Sequence, residues 1–148
     1  MKNFKHTQIG YLMIVVAFCL VVFFTWLLNI IPSEENSWLI SIIMILVVGL
    51  VLSMSTLETL IDEEYLRIKF GYGIFKKKFP LHEIASVRAV KNHIYNGWGI
   101  RVWFWPYMWI YNVSGFNAVE IKMRDGRIFR IGTDIPERLE EEISKRIF

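Results

Sequence analysis

The residue types that most often carry out acid–base chemistry or bind metals are few and scattered in this chain. Histidine occurs at His6, His82 and His93, and none lies at a spacing from another histidine or from the single cysteine that is typical of a metal site. The consecutive carboxylates at 62–64 fit a solvated turn, because a catalytic pair of carboxylates needs two contrasting environments. The sequence therefore predicts no catalytic residue, no metal site and no cofactor, and the protein is expected not to be an enzyme.

Two long apolar runs dominate the first part of the chain and contain no Asp, Glu, Lys or Arg. They cover residues 9–31 and 37–57, and a short polar turn at 32–36 separates them. Because a helix rises about 1.5 Å per residue, each run is long enough to cross a hydrocarbon layer of about 30 Å. We therefore predict a transmembrane helical hairpin over residues 9–57, preceded by an N-terminal segment at 1–8.

The basic residues predict the orientation of this hairpin. Lys2 and Lys5 precede the first run, the turn at 32–36 contains neither Lys nor Arg, and most of the 17 Lys and Arg residues follow residue 57. Since cytoplasmic flanks of membrane helices are enriched in Lys and Arg, both termini are expected to be cytoplasmic. The expected location is a multi-pass position in the plasma, or inner, membrane.

The remaining residues, 58–148, are expected to form one β domain. Alternating apolar and polar residues, interrupted by glycine and proline, predict seven antiparallel strands, at 57–61, 65–70, 74–79, 84–90, 100–105, 118–123 and 127–131. The pair Asp125-Gly126 predicts a tight hairpin between the last two. An apolar repeat predicts an amphipathic helix over 135–147, with Asp134 as its N-cap. The predicted fold class is a membrane-anchored α+β protein, in which this helix caps a seven-stranded domain.

Several short motifs in this domain resemble those of bacterial pleckstrin-homology-like (PH-like) membrane proteins. They are Phe79-Pro80-Leu81-His82-Glu83-Ile84, Gly97-Trp98-Gly99-Ile100-Arg101, Tyr111-Asn112-Val113-Ser114-Gly115, Ala118-Val119-Glu120-Ile121 and Ile131-Gly132-Thr133. The resemblance covers about residues 66–147, and the preceding helix pair is also similar. It implies a PH-like β domain with a C-terminal capping helix at a membrane, and it implies no reaction. The bulky aromatic segment between Arg101 and Asn112 departs from the family pattern.

The aromatic segment at 103–111 is the most unusual part of the predicted domain. A half-buried strand alternates between apolar and polar residues, whereas both faces are apolar here, so one face is free to contact something other than the core. Tryptophan and tyrosine also favour the headgroup level of a bilayer. Burial of both faces within the fold is the alternative. The candidate membrane or partner contacts are Trp103, Trp105, Tyr107, Met108 and Trp109.

A basic triplet, Lys76-Lys77-Lys78, lies on a predicted strand and is a candidate contact for anionic lipid. Alternation directs Lys77 to the face opposite Lys76 and Lys78, so a solvated strand that resists edge pairing is the alternative. The net charge of +3 is too small, and its distribution too scattered, to indicate nucleic-acid binding.

Gly49 and Ser53 form a pair of small residues, four positions apart, on the second apolar run. Such a pair lets another helix approach closely. The approaching helix is either the first run of the same chain or a helix of another chain, including a second copy of this protein.

Together these patterns predict a non-enzymatic, membrane-anchored binding or scaffolding module. Its β domain would engage a protein or lipid headgroups. Its partners would be the lipid bilayer and a protein in the membrane or at its cytoplasmic face. The alternative is an accessory or regulatory subunit of a transporter or membrane enzyme, which recognises its partner through the helical hairpin.

Overall fold

A computed structural model of the chain describes residues 3–31 and 37–148. In these two ranges the chain forms nine β-strands and three α-helices. In chain order they are β1 (Phe4–Ile9), α1 (Tyr11–Ile30), α2 (Ser37–Ser53), β2 (Thr56–Ile61), β3 (Tyr65–Phe70), β4 (Phe75–Pro80), β5 (Ile84–Lys91), β6 (Gly99–Phe104), β7 (Tyr107–Asn112), β8 (Asn117–Met123), β9 (Ile128–Gly132) and α3 (Pro136–Ile147). Short 3₁₀ helices at Leu81–Glu83 and Ile94–Asn96 precede β5 and β6.

The strands form two sheets in which nearly all neighbours are antiparallel. The first sheet has the order β1-β2-β3-β4, and the second has the order β5-β8-β9-β7-β6. The exception is the pair β7–β9, which is parallel. Along its other edge, β9 pairs antiparallel with β8. The turn around Asp125-Gly126 joins β8 to β9, as the sequence predicts.

The inward faces of the two sheets share a hydrophobic core with α3. Strand β3 shows the alternation that produces such a face, because its second, fourth and sixth residues are buried. Phe79 of the first sheet meets Phe129 of the second edge to face, with ring centroids 4.8 Å apart. Leu139 and Ile143 of α3 are fully buried in the same core. The two sheets and the helix therefore bury their apolar surfaces together.

The predicted fold class, a two-helix hairpin followed by seven antiparallel strands, is wrong. The described residues hold nine strands in two sheets, with one parallel pair and one strand before the helices. The sequence does not reveal β1 because most of its residues are polar and its partner, β2, lies beyond both helices. It does not reveal β7 because this strand continues the aromatic segment without alternation. Helix α3 begins at Pro136, and Asp134 contacts His6 instead of capping the helix.

Within the described residues, only α1 has the length and apolar composition needed to cross a membrane. Its 20 residues span about 30 Å, whereas α2 has 17 residues and is shorter. The prediction of a multi-pass membrane protein with both termini in the cytoplasm is therefore contradicted. The apolar runs are longer than the helices because Ile9 belongs to β1, and Thr56 and Leu57 belong to β2. The predicted turn at 32–36 and Lys2 lie outside the described residues.

The two apolar helices are inserted between neighbouring strands of the first sheet. Ile9 at the end of β1 lies opposite Thr56 at the start of β2. Next to this pair, the Gly10 amide donates a hydrogen bond to the Ser55 carbonyl with an N···O distance of 2.5 Å. The chain therefore leaves the sheet and returns to it at one point, which we call the helix root (Gly10 and Ser55). Beyond the root, α1 and α2 pack against each other.

Candidate binding surfaces

Strands β6 and β7 form a hairpin whose turn carries exposed aromatic side chains. Phe104 pairs with Tyr107 across the hairpin, and Trp105 and Pro106 lie in the turn. The exposed fraction is 78% for Phe104, 90% for Trp105 and 57% for Tyr107. We call these three residues the aromatic tip. Phe104 was not among the predicted contacts, although its place two residues before a proline, near the end of a predicted strand, is a signal for exposure at a turn.

The five predicted contacts of this segment divide between the aromatic tip and the interior. Trp105 and Tyr107 belong to the tip. Met108 is only 3% exposed, and Trp109 packs against the hydrophobic core. Trp103 is half-buried. Neither of the two readings of the sequence describes the whole segment, because the side chains near the turn are exposed and those further along β7 are covered.

Ring contacts and one hydrogen bond connect the aromatic tip to neighbouring side chains. The Trp103 ring centroid lies 5.2 Å from that of Tyr95, which in turn stacks on His93 with a centroid distance of 4.9 Å. The Trp103 indole N–H donates a hydrogen bond of 2.9 Å to the Trp105 carbonyl. These contacts connect the turn to Trp103 and, through Trp103, to Tyr95 and His93. A binding surface ordered in this way loses less conformational entropy when a partner binds.

The aromatic tip lies at the end of the β6–β7 hairpin opposite the helices. Gly99 and Asn112 pair at the other end of the hairpin. A Cβ added to Gly99 would lie 3.4 Å from the side chain of Met54, the residue that follows α2. Since a strand rises about 3.3 Å per residue, the tip lies about 17 Å from Gly99 along β6. The tip could reach a bilayer that holds α1 only if the hairpin ran along the membrane surface.

The outward face of the first sheet carries a cluster of basic side chains. The register of β3 and β4 places Lys69 opposite Lys76 and Arg67 opposite Lys78. Lys5 of β1 lies in the same row as Arg67 and Lys78, on the other side of β2. We call these five residues the basic face. All of them except Lys5 border a shallow groove of about 530 Å³.

Two lysines of the predicted triplet belong to the basic face and the third does not. Lys76 and Lys78 lie on the outward face, whereas Lys77 is opposite the buried Ile68, and its ammonium group is 5.9 Å from the centroid of the Phe129 ring. This arrangement follows the alternation seen in the sequence. Sequence reasoning did not join the basic residues of β1 and β3 to the triplet, although the alternation of β3 was a signal for the cations of that strand.

Acidic residues offset only part of the positive charge of the basic face. Glu58 forms ion pairs with Lys5 at 3.0 Å and with Lys69 at 3.5 Å. The hydrogen bond from Lys5 holds the pKa of the Glu58 carboxyl below its usual range. Arg67 forms an ion pair with Asp62 at 2.8 Å. The other two lysines of the basic face have no carboxylate partner within residues 3–31 and 37–148, so the face keeps a net positive charge.

Gly49 and Ser53 do not form one shared packing face. A Cβ added to Gly49 would meet no atom within 4 Å, so α1 does not cover this position. Ser53 is fully buried, and its hydroxyl donates a hydrogen bond of 2.6 Å to the Leu50 carbonyl. Its backbone lies against Gly71 in the turn between β3 and β4. Of the two small residues, Gly49 is the one that remains accessible to another helix.

A largely buried carboxylate in the second sheet connects three strands. Glu120 of β8 accepts hydrogen bonds from Arg88 of β5 at 2.6 Å and from Arg130 of β9 at 2.9 Å. Arg130 also donates to the side-chain oxygen of Asn92 at 3.2 Å. The side chains of Glu120 and Arg130 are 11% and 15% exposed. This cluster links β5, β8 and β9 and acts as a structural element of the sheet.

Among the residues that the structure describes, no group of three or more His, Cys, Asp or Glu side chains is placed to hold a metal ion. Comparison of the chain with models of known protein families gives no match, and comparison with curated proteins gives none either. The aromatic tip and the basic face are therefore interpreted from their own geometry and chemistry.

Proposed function

We propose that the protein is a non-enzymatic, membrane-attached binding module that engages a protein partner through the aromatic tip. The observation that carries this proposal is the exposure of Phe104, Trp105 and Tyr107 beside a fully packed residue, Met108. Exposed aromatic side chains on an ordered support are common anchors of protein interfaces, where they fill pockets of the partner. A contiguous apolar patch of this kind indicates an interaction surface.

The surface of α1 supports attachment to a membrane. Ala17 is the buried residue of this helix, and its other side chains are exposed or only partly covered. The side chains of Thr25 and Asn29 hydrogen-bond to carbonyls of the same helix, as polar groups must when lipid replaces water. Strand β1 precedes α1 and pairs with β2. Removal of α1 as a signal sequence would therefore also remove a strand of the first sheet.

The position of the aromatic tip favours a protein over lipid headgroups as its target. The headgroup layer extends only about 5 to 8 Å beyond the hydrocarbon. The tip lies about 17 Å along β6 from the end of the hairpin that meets Met54, so a hairpin that stands away from the membrane would carry it past the headgroups. The resemblance to the PH-like membrane proteins stays a prediction, and a binding role agrees with it.

Site-specific photocrosslinking in native membranes tests this proposal. A photoreactive phenylalanine analogue replaces Trp105 in the full chain, and in a control chain it replaces Lys122, an exposed residue of β8. We expect a discrete protein adduct from position 105 and none from position 122. The substitutions Phe104→Ser and Tyr107→Ser should together reduce this adduct about tenfold or more, because they remove two aromatic anchors. Adducts to lipid alone, or equal adducts from both positions, would contradict the proposal.

A second candidate function is favoured by the open surface at Gly49. In this function the protein is an accessory or regulatory subunit that recognises a transporter or membrane enzyme through its apolar helices. The substitution Gly49→Leu would prevent the close approach of a partner helix, and Leu46→Met, a volume-conserving change at a nearby exposed position, is the control. If Gly49→Leu abolishes co-purification of the partner while variants of the aromatic tip retain it, the helices carry recognition and the tip does not.

A further inference from the structure

We propose that the turn between β3 and β4 is a second membrane contact. In this contact Tyr72 and Ile74 lie in the interface of an anionic bilayer, and Lys69 and Lys76 lie against the lipid phosphates. The inference rests on the attachment through α1 proposed above. It names the lipid class and orients the β domain on the membrane, which the attachment alone does not do.

The first step of the argument is the position of this turn beside the helices. The Gly71 amide donates a hydrogen bond of 2.9 Å to the carbonyl of Thr56, the first residue of β2. A Cβ added to Gly71 would lie 2.1 Å from the carbonyl oxygen of Ser53, the last residue of α2. Gly71 also has a φ of +44°, which favours glycine. The turn is therefore held by backbone contacts directly at the helix root.

The second step is the chemistry that the turn exposes at this place. Tyr72 is 77% exposed and Ile74 is 64% exposed. Gly71, the residue before Tyr72, lies against Ser53 at the end of α2, and the apolar side chains of α1 and α2 are themselves exposed. The turn thus exposes apolar side chains at the end of the β domain from which the helices emerge. Tyrosine suits the boundary between headgroups and acyl chains because its ring is apolar and its hydroxyl is polar.

The third step is the order of charges behind the turn. Ile9 and Thr56 form the row of the first sheet nearest the helix root, and Lys69 and Lys76 lie two residues further along their strands. Two residues of strand correspond to about 7 Å, the depth at which a headgroup layer of about 5 to 8 Å ends. The same row holds Glu58, which forms an ion pair with Lys69 at 3.5 Å, so the positive charge that remains is that of Lys76. A cation at this level attracts anionic lipid. An apolar turn followed by a row of lysines therefore matches the layers of an anionic bilayer surface.

Fluorescence quenching in reconstituted vesicles separates this inference from the proposed attachment. The full chain is placed in vesicles of phosphatidylcholine and phosphatidylglycerol that contain a nitroxide lipid quencher. A dye on Cys19, the single native cysteine and an exposed residue of α1, reports whether α1 enters the bilayer. In a Cys19→Ser chain, the same dye on Tyr72→Cys reports the turn, and the dye on Trp105→Cys reports the aromatic tip. Ile74→Cys is a second probe of the turn in case Tyr72→Cys does not fold.

We expect strong quenching at position 19. Quenching at position 72 or 74 should be at least half as strong as at position 19. Quenching at position 105 should be weaker than at position 72 or 74 by a factor of about two or more. Absence of quenching at position 19 would overturn the proposed attachment. Quenching at position 19 with none at positions 72 and 74 would overturn the second contact alone.

Variants of the lysine row test the anionic part of the inference. The pair Lys69→Gln and Lys76→Gln should lower quenching at position 72 by a factor of two or more in the anionic vesicles, and Lys122→Gln, on the second sheet, should not. Removal of phosphatidylglycerol should have the same effect as the lysine pair. Unchanged quenching in the lysine pair would overturn the assignment of anionic lipid. Binding of polyglutamate that depends on these lysines, without quenching at position 72, would assign the basic face to an acidic protein and overturn the membrane contact.

Discussion

The Gly10 amide donates a hydrogen bond to the Ser55 carbonyl and so joins the two ends of the apolar helical segment. The pair Ile9–Thr56 continues this contact into the first sheet. The helices are therefore attached to the β domain by two hydrogen-bonded strands rather than by a flexible linker.

A side chain at Gly10 should disrupt the helix root. A Cβ at this position would lie 2.8 Å from the Ser55 carbonyl oxygen and 2.9 Å from the Val113 carbonyl oxygen, and backbone atoms cannot move aside easily. We expect Gly10→Ala to lower the free energy of unfolding by about 1 to 3 kcal/mol, as overpacking does. Denaturant unfolding of the full chain in detergent micelles, followed by tryptophan fluorescence, measures this change. Gly49→Ala is the control, and since its Cβ meets open space it should be neutral or stabilise by up to about 1 kcal/mol.

The carboxylate of Glu120 should contribute strongly to stability. Its replacement by alanine leaves Arg130 in a largely buried position without its ion-pair partner. Breaking a buried ion pair in this way costs about 3 to 5 kcal/mol, and Glu120→Ala should approach this value in the same unfolding experiment. Arg88→Ala is the matched control, because the Arg88 side chain is mostly exposed and should contribute about 1 kcal/mol or less. A loss of about 1 kcal/mol or less in Glu120→Ala would show that the cluster is not a structural element.

Adjacent positions of the aromatic segment should respond differently to truncation. Met108 is buried, so Met108→Ala should cost about 2 to 5 kcal/mol of unfolding free energy through loss of burial and creation of a cavity. Trp105→Ala should change stability by about 0.5 kcal/mol or less, because the side chain is exposed and outside the core. The partner adduct formed from position 105 should show the reverse order, with a larger loss for Phe104→Ser and Tyr107→Ser of the tip than for Met108→Ala. A large loss of stability in Trp105→Ala would show that the tip packs within the fold.

The stability of the protein should fall as the pH drops below about 4.5. A hydrogen bond from Lys5 lowers the pKa of Glu58, and a hydrogen bond from Arg146 lowers that of Glu142. Because folding favours the deprotonated carboxylates, their contribution is complete above the pKa of the unfolded chain. It is lost as the pH falls through the lower pKa of the folded chain. Unfolding curves between pH 7 and pH 3 measure this loss.

Neutral variants identify the groups responsible for this acid sensitivity. Glu58→Gln and Glu142→Gln should each be less stable than the parent protein at pH 7 and should lose less stability on acidification. A parent protein whose stability is constant down to pH 3 would contradict the assignment.

Local patterns in the sequence are sufficient to predict several secondary-structure elements of this protein. The apolar run that becomes α1, the Asp125-Gly126 turn between β8 and β9, and the amphipathic helix near 136–147 can each be recognised within a short window. Their signals are periodicity and turn chemistry, which act between residues close in the chain. The limits of the apolar helices could not be read in this way, because apolar strand residues such as Leu57 are indistinguishable from helix residues by hydropathy alone.

The sequence by itself determined the apolar helix, the β-rich domain and the residue types of both candidate surfaces. Only the tertiary structure decided that β1 pairs with β2 across the helices, that Lys5 joins the lysines of β3 and β4, and that Trp105 is exposed while Met108 is buried. Strand pairing is the physical reason, because it depends on hydrogen bonds and register between segments far apart in the chain. A short polar strand such as β1 carries no local signal of the partner that completes it.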